Sequence, residues 1–247
     1  MRTITATRYV TPFREGGSMP ALVEADDDGL YVLKFRGAGQ GPRALVAELI
    51  AGELARALGL PVPELVLCEL DPRIGVAEPD PEIQELLQAS AGLNVAMDFL
   101  PGSLAFAGPD AVDPALAAEV VWLDSLVMNV DRTPRNPNLL QWHGATWLID
   151  HGAAFYRHHR DDSDPEGLAV QPFPLIAQHV LLARAGSLAD AGSRLAPLVD
   201  DALLERLAGF VPDGWAGDAG PEAYTRFLRA RVAASTQLCQ EAEDARG

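Results

Sequence analysis

Lysine is almost missing from this chain of 247 residues: of its nineteen basic side chains only Lys34 is not arginine. Cysteine occurs twice, at Cys68 and Cys239, too far apart in sequence for a closely spaced thiolate metal centre or a disulfide framework. A reducing, cytoplasmic setting is therefore expected, with both thiols serving as packing residues. No stretch approaches the ~18 apolar residues that a membrane span requires, and the first residues lack the apolar segment of a secretion signal. Positive charge is also short. The net charge of −16 argues against direct nucleic-acid binding, which depends on a Lys/Arg excess. Asparagine is the last scarcity, with four in all, at 94, 129, 136 and 138.

What is present divides near residue 100. Ala21–Ala25 and Leu30–Phe35, joined by Asp-Asp-Asp-Gly, read as a β-hairpin. A Gly/Ser/Pro loop (Thr11–Pro20) precedes it. A helix follows, over Arg43 to Leu58 and closed by Gly59. Then come a strand at Glu64–Leu70, a helix at 81–92 and an apolar strand, Leu93–Gly102. From Asp113 onward helices are expected at 113–129, 174–185, 187–198, 200–209 and 221–244, with one hairpin at 139–150. The expected architecture is α+β with two lobes: residues 1–100 carry a small antiparallel sheet plus helix, and residues 101–247 are mostly helical.

Three of the four asparagines fall within ten residues, in "NVDRTPRNPN", a polar loop between an apolar helix and the hairpin. That loop offers Asp131 and, five positions on, Asn136. The second hairpin strand ends at Asp150, followed by His151 and Gly152. Phosphoryl transfer needs these residue types. A carboxylate orients the attacking hydroxyl, oxygen ligands hold magnesium on the phosphates, and a cation grips the phosphate oxygens. Lys34, at the end of its strand, answers the last need with a compact point charge in place of arginine's planar fork. Asn129 and Asn138 read as loop-bracing and turn-forming residues.

With "YVLKF", "AELIAGELARALGLPVPE", "MDFLPG", "NVDRTPRNPNLL" and "WLIDHGAAF" in this order, the chain resembles the HipA-like kinases, relatives in fold of protein and phosphatidylinositol kinases. The resemblance runs over roughly residues 20 to 245. It implies a protein-kinase-like fold and an ATP- and Mg2+-dependent phosphotransferase acting on a hydroxyl. The acceptor would be a protein serine or threonine, or else a small molecule such as a metabolite or antibiotic. A nucleotide-binding module without transfer is the rival class. The resemblance further implies that Asp131 orients or deprotonates the acceptor, Asn136 and Asp150 ligate the metal, and Lys34 holds phosphate. Backbone groups of Asp98, Phe99 or Leu100 would meet adenine, with Gly16, Gly17 and Ser18 above the phosphates.

Glu48 matches the family's glutamate that pairs with the lysine. Helical periodicity pulls the other way. At about 100° per residue, Val46, Leu49, Ile50, Leu54 and Ala57 share an apolar face that includes Glu53, with Glu48 nearly opposite. Two departures stand out: His151 where many kinases have an aromatic, and Val130 where many have arginine.

Overall fold

The computed structural model describes residues 1–13, 19–39, 41–158 and 164–247. Contacts group them into two compact units, Met1–Leu45 with Pro63–Pro101 and Val46–Val62 with Gly102–Gly247. Residues 46–62, expected with the first lobe, thus group with the second. The boundary falls inside one continuous helix, α1 (Pro42–Ala57).

The first unit is a closed five-stranded barrel. Its strands are β1 (Thr3–Pro12), β2 (Ala21–Ala25), β3 (Leu30–Lys34), β4 (Leu65–Leu70) and β5 (Gly92–Asp98), in the order β1-β2-β3-β5-β4. The expected β2–β3 hairpin forms, with Asp28 in the left-handed region (φ 63°) and the Gly29 N–H donating to Asp27 at 3.0 Å. Closure comes from β1, which runs antiparallel to β2 and parallel to β4. Period-two alternation then fixes which side chains fill the barrel. Ile4, Ala6, Val23, Tyr31, Leu33, Val66 and Ala96 point inward and are buried together with Cys68. Burial pushes the Cys68 thiol up to about 12, as suits a packing residue. Helix α2 (Pro81–Ala89), opened by the Asp80 cap and Pro81, lays Ile83, Leu86 and Leu87 on the same core. Because Leu33 faces in, Lys34 lies on the barrel's outer face, opposite Val95 of β5.

In the second unit, α3 (Pro114–Leu126) is the central helix. Asp113 caps it, and every residue from Val120 to Leu126 is buried. A three-stranded sheet, β6 (Leu104–Ala105), β7 (Leu139–Trp142) and β8 (Ala145–Leu148), carries the expected second hairpin. Beyond it lie α4 (Pro165–Ala169), α5 (Leu188–Leu195), α6 (Asp201–Ala208), α7 (Glu222–Ala233) and α8 (Ser235–Arg246). Three expectations need correction. The helix expected at 174–185 is two 3-10 turns, Pro174–Gln178 and Leu182–Arg184, because His179 takes extended dihedrals (φ −68°, ψ 129°) between them. The single helix expected at 221–244 is two, broken at Ala234. The segment between the hairpin and residue 174, for which no helix is expected, contains α4, whose cap residue Asp164 accepts from the Gly167 N–H at 2.9 Å. Among the described residues no helix is long and apolar enough to cross a membrane.

Candidate active site

The loop that follows α3 is anchored from below by buried charge. Arg132 donates its Nε to Asp124 Oδ2 at 2.6 Å, and His179 Nε2 meets the same oxygen at 2.9 Å. The other oxygen of Asp124 accepts from the Asn129 amide at 3.1 Å. Burial alone would raise the Asp124 carboxyl, but the Arg132 charge and the His179 contact hold it well below the usual carboxylate range. Arg132 also donates to the carbonyl of Asn138 at 2.6 Å, tying the loop's exit to its entry. This support was not found from the sequence. Its one visible trace is an aspartate inside an apolar helix, a residue that requires a partner when buried.

On that base, Asn129 Oδ1 accepts from the Asp131 N–H at 3.1 Å. Asp131 Oδ2 then receives two amides, Asn136 Nδ2 at 2.8 Å and Asn138 Nδ2 at 3.4 Å. Oδ1 takes no hydrogen bond among the described residues, so it is the oxygen left to accept a hydroxyl proton. Burial raises the Asp131 carboxyl above its usual value; the amides of Asn138 and Asn136 oppose this, and the nearby negative charge of Asp150 reinforces it. Asp131, Asn136 and Asp150 are therefore brought into one electrostatic neighbourhood. Asn138 does more than form a turn. It takes a left-handed backbone (φ 48°) and supplies the second amide to Asp131.

Asp150 itself sits in the left-handed region (φ 54°) at the end of the second hairpin, as does Phe155 (φ 53°), whose N–H donates to Val127 at 2.7 Å. A bulky Phe in that conformation is strained, and such strain persists only where packing holds it. Here Phe155 is buried edge-on against Tyr224, Phe227 and His158.

The two glutamates of α1 have different surroundings. Glu48 is fully buried, and its Oε2 accepts from the His151 backbone N–H at 2.8 Å. Glu53 pairs with Arg56 at 3.1 Å. Periodicity misplaced Glu48 because α1 has no solvent face over this stretch: residues 45–52 are all buried. Both ring nitrogens of His151 lie buried with no hydrogen-bond partner among the described residues, and Nδ1 is 3.8 Å from Glu48 Oε1.

In the first unit, two of the three candidate adenine-contact residues already use their amides. The Asp98 N–H donates to Glu64 at 2.9 Å and that of Phe99 to Leu30 at 3.0 Å, whereas the Leu100 N–H makes no backbone bond among the described residues. Gly16, Gly17 and Ser18 lie outside the described residues.

As to a metal, no group of three or more His, Cys, Asp or Glu side chains converges among the described residues. The donor set at hand is all oxygen, from carboxylates and an amide, which suits a hard cation that takes its remaining ligands from phosphates and water. With its Nδ2 donated to Asp131, Asn136 has its Oδ1 left for such a cation. The residues fit magnesium and do not fit a resident zinc.

Comparison with known proteins decides the family. The family described as HipA-like kinase matches residues 7–172, more than half of the sequence. The chain belongs to the HipA-like kinase family. No curated protein matches it. Among solved structures, this HipA-like kinase is similar to the Helicobacter pylori proinflammatory kinase CtkA, with a TM-score of 0.60 and 14% identity, covering 97% of this chain and 99% of that one. It is also similar to the Golgi casein kinase with Mn/ADP bound, with a TM-score of 0.58 and 15% identity, covering 98% and 74%. At such identities the likeness shows the fold, which is protein-kinase-like.

Proposed function

We propose that this HipA-like kinase transfers the γ-phosphate of ATP, with Mg2+, to a hydroxyl acceptor. The observation that carries the proposal is the state of Asp131: one oxygen fixed by two asparagine amides, the other open, and the carboxyl raised by burial and Asp150. A carboxylate so held is immobile and more basic than one in water, the two properties an acceptor-orienting base needs. Asn136 Oδ1 and the Asp150 carboxylate would hold the divalent cation, which when bound neutralises charge on the phosphate oxygens. That one structural neighbour was solved with Mn/ADP supports nucleotide and metal use here.

Lys34 serves the phosphate oxygens in this reading, and Glu48 the lysine. Of Asp98, Phe99 and Leu100, only Leu100 keeps an N–H for the adenine edge. The presence of Lys34, Asp131, Asn136 and Asp150, the residue types that transfer needs, favours transfer over a module that only binds nucleotide.

The test is incubation of the protein with labelled ATP and Mg2+, read for autophosphorylation and for label on lysate proteins and small molecules. Asp131→Ala should lose transfer by at least a hundredfold, the usual scale for removing a general base, while retaining nucleotide binding. Transfer at the parent rate in that variant rejects the role of Asp131.

A further inference from the structure

Four residues beyond the acceptor-orienting carboxylate lies an exposed arginine that has no partner among the described residues. Among the described arginines, Arg135 and Arg206 alone have no hydrogen bond or ion pair; the rest meet carboxylates, carbonyls, an amide or other described groups. Lack of a partner is shared with Arg206 and does not by itself assign a role; what sets Arg135 apart, in a chain of net charge −16, is its position. Its place is specific. The backbone closes a tight turn from Thr133 to Asn136, with N–H to carbonyl bonds of 3.0 and 3.1 Å in the two directions, and the Thr133 N–H also bonds the Asp131 carbonyl at 3.0 Å. Arg135 is exposed on that turn, between Asp131 and Asn136 in sequence.

The turn forms one wall of an open pocket of about 530 Å³, with Thr133, Pro134 and Arg135 on one side and Ala177, Gln178 and His179 on the other. The far wall is rigid, since His179 is locked to Asp124 and the Val180 N–H bonds the Arg132 carbonyl at 3.0 Å. Arg135 is the only Lys, Arg, Asp or Glu lining this pocket. A pocket with a fixed wall, three further polar side chains (Thr133, Gln178 and His179) and one unopposed guanidinium is suited to an anion, which arginine holds through a planar fork.

We propose that Arg135 is a specificity-determining residue, and that the hydroxyl acceptor is a peptide serine or threonine flanked by acidic side chains, one of which binds in this pocket. The inference rests on the phosphotransferase reading and narrows its substrate. It runs opposite to the cationic acceptor that overall acidity alone would favour, because recognition is set by the charge at the site and not by the net charge.

The experiment supplies labelled ATP, Mg2+ and three degenerate Ser/Thr peptide pools, flanked by Asp/Glu, by neutral residues or by Lys/Arg. The parent should label the acidic pool about tenfold better than the basic one, the ratio expected of one charge-assisted contact. Arg135→Glu should reverse that ratio, and Arg206→Glu, the same charge change on α6, should leave it as in the parent. Reading ratios between pools cancels any general loss of activity. An unchanged ranking in Arg135→Glu, a parent preference for the basic pool, or autophosphorylation with no pool labelled each overturns the proposal while leaving the kinase reading intact. Absence of any transfer or ATP turnover in the parent instead overturns the reading beneath it.

Discussion

Arg132 and Asp124 form an ion pair of 2.6 Å in which neither side chain is exposed to solvent. Arg132 directly follows Asp131, so the loop that holds Asp131 is fastened to the α3 core by charge in a place where water cannot compete. Removing one partner leaves the other buried and uncompensated. Arg132→Ala and Asp124→Ala should each destabilise the protein by about 3–5 kcal/mol. Denaturant unfolding of each variant measures this, and a loss under 1 kcal/mol would show that the pair is not a structural anchor.

The same pair sets a pH dependence. The Asp124 carboxyl is depressed in the folded state, so its contribution is fully present above the unfolded value of about 3.9 and is lost as pH falls through the folded one. Unfolding free energy should therefore decline more steeply with acid in the parent than in Asp124→Asn below about pH 4. Parallel curves for the two proteins would sink this assignment.

Glu48 accepts a hydrogen bond from the backbone of the Asp-His-Gly turn. Glu48→Gln keeps an acceptor for the His151 N–H and should fold with little loss. Glu48→Ala leaves that buried donor unmet, at a cost of about 1–3 kcal/mol. Both should lower transfer strongly if the charge serves Lys34. Full transfer by Glu48→Gln would confine Glu48 to a structural role.

Lys34→Arg preserves the charge at the half-buried end of β3 and should still fold. Phosphate transfer should fall at least tenfold, since a planar fork cannot replace a point charge at a shared oxygen. Parent-like activity would mean that the scarcity of lysine had been over-read.

Gly192, on α5, is packed where α3 and α8 meet. A methyl there would stand 2.8 Å from Cys239 Sγ and 3.1 Å from both Ser235 Oγ and Trp122 Nε1, which are bonded to each other at 2.9 Å. Gly192→Ala should cost about 1–3 kcal/mol through overpacking. A thermal shift of zero or above would contradict that packing.

Local signals explain what was legible. Asp-Gly at 28–29 announced the hairpin, Asp113-Pro114 the start of α3, and Gly59 the stop of α1, because each rule involves only neighbours in sequence. The asparagine cluster pointed at the loop that holds Asp131 for the same reason. Long-range pairing was not legible. Nothing near β1 says that it joins β4, and nothing near His179 says that its ring reaches Asp124, 55 residues away. Periodicity failed at Glu48 because it presumes one wet face, and the middle of α1 has none.

The ring of strands in the first unit carries a consequence for how the chain is made. Its N-terminal strand can zip onto the second as soon as both leave the ribosome, yet its other flank finds β4 only after some forty further residues. Until β5 bridges β3 and β4, the nascent unit exposes raw sheet borders of the kind that recruit neighbouring chains. Deleting residues 1–12 makes that hazard permanent, and the expected result is aggregation during synthesis instead of a soluble but weakened enzyme.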